Sequence, residues 1–125
     1  RKTSIGRVMS DKRDESFSRE NRLRKSTEFR RTFSRGKRAS TPYFVIYSLP
    51  NRLTYSRLGI QVKAKIGTAV RRNYIKRMVR ETFRKMKNDF RQPVDLIFIA
   101  EKEILDLKCS IFEEHFRKAL AQYLQ

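Results

Sequence analysis

From residue 57 to 66 polar and apolar positions alternate. Leu58, Ile60, Val62, Ala64 and Ile66 fall on one side, Arg57, Gln61, Lys63 and Lys65 on the other. A period of two predicts a strand with one core face and one basic face. Upstream, "YFVIYSL" (43–49) is a β-branched and aromatic run bounded by Pro42, a second strand signal. Downstream, "DLIFIA" (95–100) is apolar on both faces, as in an interior strand covered by helices.

The helical rhythm appears in three places. In "STEFRRTFSRG", Ser26 or Thr27 offers an N-cap, Glu28 suits the first turn and Gly36 marks the stop. Phe29 and Phe33, four residues apart, share a face. Thr68 caps a helix predicted over 69–86, in which Val70, Tyr74, Ile75, Met78, Val79, Thr82 and Met86 form an apolar arc. Phe83 lies at its boundary, while Arg71 and Lys85 fall within it and must snorkel or sit at the ends. A last helix, 109–123, buries Ile111, Phe112, Phe116, Ala119, Leu120 and Tyr123. The order αββαβα, without internal repeats, predicts one α+β domain, an α/β sandwich over residues 21–125. Residues 1–20, polar and without periodicity, read as a disordered basic N-terminal arm.

Charge changes this picture from a fold to a function class. The 125-residue chain carries 31 basic and 13 acidic side chains, net +18. That excess calls for a polyanion as partner. It is also localised: residues 1–40 and 63–91 are each net +9, whereas the chain from Gln92 onward is net −2. Around the central helix Arg72, Asn73, Lys76, Arg77, Arg80, Arg84 and Lys87 form one strip, with Glu81 the sole acid between residues 67 and 85. Like charges three and four residues apart repel, and phosphates of a bound nucleic acid would cancel that cost. A membrane partner is disfavoured because the apolar arc is needed for the core. There is no apolar run of spanning length and no secretory signal pattern, so the expectation is cytoplasmic. Cys109, the single cysteine, excludes an internal disulfide.

Catalytic groups are scarce. His115 is the only histidine and follows Glu113 and Glu114 in the last helix. No zinc-ligand spacing, Gly-rich phosphate loop or HExxH motif occurs. The carboxylates are scattered, and Asp95 reads as structural.

"GTAVRRNYIKRMVRETFR" resembles the signature of the bacterial ribonuclease P protein subunit, a Gly-x-Ala-Val-x-Arg-Asn helix start followed by Lys-Arg and Arg-Glu. "RLRKSTEFRRTFSRG", "YFVIYSL", "RLGIQVKAKIG" and "DLIFIA" resemble that family's first helix and three strands, so the likeness spans about residues 21–122. It implies a left-handed β-α-β crossover between the second and third strands, against the usual hand. It also implies that Lys65, Arg72, Asn73, Lys76, Arg77, Arg80 and Arg84 meet the catalytic RNA. Phe29, Phe33, Phe44, Tyr47 and Lys63 would line a cleft for the 5′ leader of precursor tRNA. In the family the RNA hydrolyses the phosphodiester with Mg2+ bound mainly by RNA, so the protein alone is expected to be inactive. Neither an obligate protein partner nor an organic cofactor is implied. This chain departs from the pattern at Tyr74, where a third basic residue is usual, and at Ala64, where Lys is common.

Two points stay open at the level of residues. Phe29, Phe33 and Tyr47 suit a core as well as a groove, although Arg30, Arg31, Arg35, Lys37 and Lys63 would rim such a groove as single-strand binders do. A structural RNA-binding module, such as a ribosomal protein of similar build, has the same charge signature.

Overall fold

The computed structural model describes residues 21–124. The basic arm expected over residues 1–20 lies outside them. Helix α1 spans Ser26–Arg35 and is followed by strands β1 (Lys37–Ser40), β2 (Phe44–Pro50) and β3 (Arg57–Gln61). Helix α2 (Ala69–Met86) leads to β4 (Val94–Ala100), and α3 (Cys109–Ala119) closes the domain. Among the described residues, 3₁₀ turns Ala64–Ile66, Lys87–Asp89 and Lys102–Asp106 lie between these elements, and Ala121–Tyr123 follows α3.

The sheet order is β1-β2-β4-β3. β1 with β2 and β2 with β4 are antiparallel, while β3 and β4 run parallel. A parallel neighbour demands a crossover, and α2 supplies it. The register aligns Tyr47, Ile97 and Gly59 in one row and Ile46, Phe98 and Ile60 in the next. Since successive side chains point to opposite faces, the Phe44, Ile46, Phe98 and Leu58 side meets α2 and α3. Phe44, Phe98, Phe112 and Phe116 pack there with ring centroids 4.9–6.2 Å apart. All four are fully buried, and each such side chain stabilises the fold by about 1.5–3 kcal/mol. The opposite face carries α1, whose Phe29 ring lies against Gly59 and whose Phe33 ring meets Tyr47.

Several boundaries differ from the sequence reading. β1 was not anticipated: its "KRAS" residues are mostly exposed and carry no apolar alternation, and its place is set by pairing along β2. A short charged edge strand also discourages sheet-to-sheet association. The alternation after Leu58 ends as a strand at Gln61, and Ala64 and Ile66 belong to a 3₁₀ turn. α1 is capped neither by Ser26 nor by Thr27. Lys25 is the extended N-cap residue, and the Glu28 carboxylate accepts from the backbone N–H of Arg24 and Lys25 at 3.3 and 3.1 Å. α2 keeps its expected span, and its Thr68 cap accepts from the Arg71 N–H at 3.2 Å. α3 ends at Ala119, four residues early, and its Ile111 is exposed.

Candidate nucleic-acid interface

The buried arc of α2 comprises Ile75, Met78, Val79, Thr82, Phe83 and Met86. It differs from the sequence reading at three positions. Phe83 is core, whereas Val70 and Tyr74 are 79% and 54% exposed. The first turn and a half of α2 is therefore largely exposed, with the Tyr74 hydroxyl 3.4 Å from Cys109 Sγ at the start of α3. Arg71 and Lys85 escape the core as expected, being exposed, and Lys85 pairs with Glu113 at 3.1 Å.

Asn73, Lys76, Arg77 and Arg80 share the outward side of α2. Arg72 is half-buried, and its Nη1 donates to the Gly67 carbonyl at 2.7 Å, pinning the turn that delivers the helix. Arg84 lies beside Glu81, Nε to Oε2 2.9 Å, so part of its charge is neutralised internally. Arg80 is perturbed within the strip: partial burial first, and the Arg22 charge second, pull its pKa below the ordinary guanidinium value. Arg22 therefore extends the strip beyond α2, from a segment bridged to Leu58 of β3. The sequence reading missed it, because its only signal was a lone arginine beside an unpatterned segment.

A groove runs along the α1 face of the sheet. Phe33 and Tyr47 meet edge to face at a centroid distance of 4.9 Å, and Phe33 remains 37% exposed. Beside these rings the row Gln61, Ile99 and Val45 is only half-buried. At the carboxyl ends of β3 and β4 the exposed Lys63 and Lys65 border a cavity of about 290 Å³ with Ile99, Lys102 and the acidic Glu101 and Glu103. Arg38, opposite Tyr47 in the β1–β2 register and on its face of the sheet, adds a cation at the other edge. It could not be placed without knowing that β1 exists.

Phe44 does not belong to this groove. It is 0% exposed and stacks in the aromatic core on the opposite face, because it is out of phase with Tyr47 along β2. Arg57, expected on the solvent side of its strand, is also buried. It is held by Asp95 and Glu28, which hold its pKa above the ordinary guanidinium value, the Asp95 hydrogen bond contributing most. Arg31 and Arg35 fall on the flank of α1 away from Phe29 and Phe33. His115 packs its ring against Tyr43 at 5.0 Å. Among the described residues no three His, Cys, Asp or Glu side chains cluster as metal ligands would, and no helix is long and apolar enough to cross a membrane.

The sequence pattern of the family described as Ribonuclease P matches residues 17–124. The chain belongs to the ribonuclease P protein family. It is 46% identical over 90 residues to the ribonuclease P protein component of Thermotoga maritima, covering 72% of this chain and 77% of that protein. It is 36% identical over 99 residues to that of Caldanaerobacter subterraneus, covering 79% and 85%. The solved Staphylococcus aureus RNase P protein superposes with a TM-score of 0.76 at 31% identity, covering 84% of this chain and 98% of that one. For the T. maritima RNase P protein the TM-score is 0.73 at 35% identity, with 83% and 98% covered. These matches set the ribosomal-protein reading aside. As a ribonuclease P protein component, the chain is a subunit of a ribonucleoprotein endoribonuclease, and the α2 strip and the α1 groove are its two candidate RNA surfaces.

Proposed function

We propose that this chain binds the catalytic RNA of ribonuclease P through Lys65 and the α2 residues Arg72, Asn73, Lys76, Arg77, Arg80 and Arg84. In the same complex it receives the 5′ leader of precursor tRNA in the groove of Phe29, Phe33, Tyr47 and Lys63. The supporting observation is that the two surfaces lie on opposite faces of the sheet and adjoin only at Lys63 and Lys65, which border one cavity. α2 packs on one face of the sheet and α1 on the other, so a cationic strip and an aromatic groove can be occupied together.

Each surface has the chemistry its ligand needs. Guanidinium and ammonium groups on α2 meet backbone phosphates and release counterions. Exposed ring edges and faces flanked by cations suit unpaired nucleotides. The phosphodiester hydrolysis belongs in this reading to the RNA and the Mg2+ ions bound mainly by it, within the cytoplasm. The protein contributes by bringing two polyanions together, because its net +18 charge offsets their repulsion.

The test mixes the purified protein with the catalytic RNA and precursor tRNA at low magnesium, and each component is also assayed alone. The expected result is accurate 5′ cleavage with RNA and protein together and none with protein alone. Cleavage by RNA-free protein, or no effect of the protein on the RNA, would overturn the reading.

A further inference from the structure

α1 has two flanks, and only one faces the aromatic groove. The other borders a second cleft of about 570 Å³ between α1 and the loop that follows β2, with Arg31, Arg35 and Arg52 at its rim and Leu49, Pro50 and Leu53 in its wall. The three arginines are exposed, and none has a hydrogen bond or ion pair to a described residue. The floor is Arg57 with Glu28 and Asp95, two carboxylates already engaged by one guanidinium. It therefore carries one net negative charge under three positive ones. Asn51 is also committed, donating to Asp95 Oδ1 at 2.8 Å and accepting from the Leu53 N–H at 2.8 Å.

We propose that this arginine flank is a second contact for the RNA subunit, engaging backbone phosphates of a base-paired segment. The proposal rests on the reading that the chain binds that RNA through α2. The cleft has no aromatic lining, so it offers splayed bases nothing to stack on, unlike the opposite flank. Arginine is suited to paired N–H contacts with phosphate oxygens. Three guanidiniums on one short helix and its neighbouring loop, over a floor that offsets only one of their charges, repel one another. A resident polyanion cancels that repulsion throughout the life of the complex, whereas a substrate does so only transiently. That favours the RNA subunit over the tRNA as occupant.

The experiment measures binding of the RNA subunit as a function of salt for the full chain and for the Arg31→Gln/Arg35→Gln/Arg52→Gln variant. An Arg77→Gln/Arg80→Gln variant is run in parallel, with the precursor-to-mature tRNA affinity ratio measured in each assembled complex. Loss of three duplex phosphate contacts should reduce the log–log salt slope by about 2.7 and leave the affinity ratio unchanged. An unchanged slope in the triple variant, with a reduced slope in the α2 variant, overturns the second contact alone. Unchanged slopes in both overturn the underlying reading. A lost affinity ratio in the triple variant would overturn the proposal by assigning the flank to the leader.

Discussion

Arg57 and Asp95 are joined by two hydrogen bonds, Nε to Oδ1 at 2.9 Å and Nη2 to Oδ2 at 2.7 Å, with Asp95 completely buried. The free Nη1 of Arg57 reaches Glu28 on α1. One guanidinium thus ties β3 to β4 and both to α1, the helix that carries the two rings of the groove.

Removing that guanidinium leaves Asp95 buried and unmatched. Arg57→Leu should destabilise the fold by about 3–5 kcal/mol, the usual cost of breaking a buried pair from one side. Urea unfolding of the free protein measures it, and a loss under 1 kcal/mol would contradict the assigned role.

Acid should loosen the same junction. Burial alone would raise the Glu28 pKa, but the backbone N–H groups of Lys25 and Arg24 and the Arg57 side chain outweigh it. The folded value therefore lies below the ordinary 4.5. The unfolded chain takes up the proton first, so this stabilisation is complete above about pH 4.5 and disappears as pH falls through the folded pKa. Glu28→Gln should be less stable at neutral pH and show a shallower loss of stability below pH 4.5 than the parent. Equal acid dependence in thermal melts of the two proteins would contradict this.

Gly59 fixes the position of Phe29. A Cβ at residue 59 would lie 2.5 Å from the Phe29 ring, so Gly59→Ala must push the ring outward. The expected outcome is a protein that folds and binds the RNA subunit normally but loses affinity for precursor tRNA more than for mature tRNA. Parallel losses for both substrates would show that the ring does not face the leader.

Much of the fold was legible in the sequence because the strong rhythms reflect burial. The span of α2, the Thr68 cap and the interior character of β4 all follow from apolar spacing. What escaped was set by tertiary pairing. "KRAS" becomes a strand only because β2 offers it an edge, and Arg57 is buried only because Asp95 and Glu28 converge on it from elements distant in sequence. The candidate site was legible as a list and less so as a shape. Phe44 and Tyr47 look equivalent in an aromatic run, yet a period of two sends them to opposite faces. Arg31 and Arg35 sit among the groove aromatics in sequence, but the turn of α1 carries them to its other flank. Val70 and Tyr74 keep the helical spacing of a core, yet both lie in the largely exposed start of α2.

We propose that the Phe33–Tyr47 corner holds the precursor's leader, and leader-dependent affinity tests this. The assembled complex containing Phe33→Ala would be titrated with mature tRNA and with precursors whose leaders increase in length, after its folding has been verified by circular dichroism. Loss of one stacking surface should weaken precursor binding by about 1–3 kcal/mol, roughly fivefold to more than a hundredfold, while mature tRNA binds as before. An equal loss for every substrate, or no loss for any, would show that the leader does not lie on this corner.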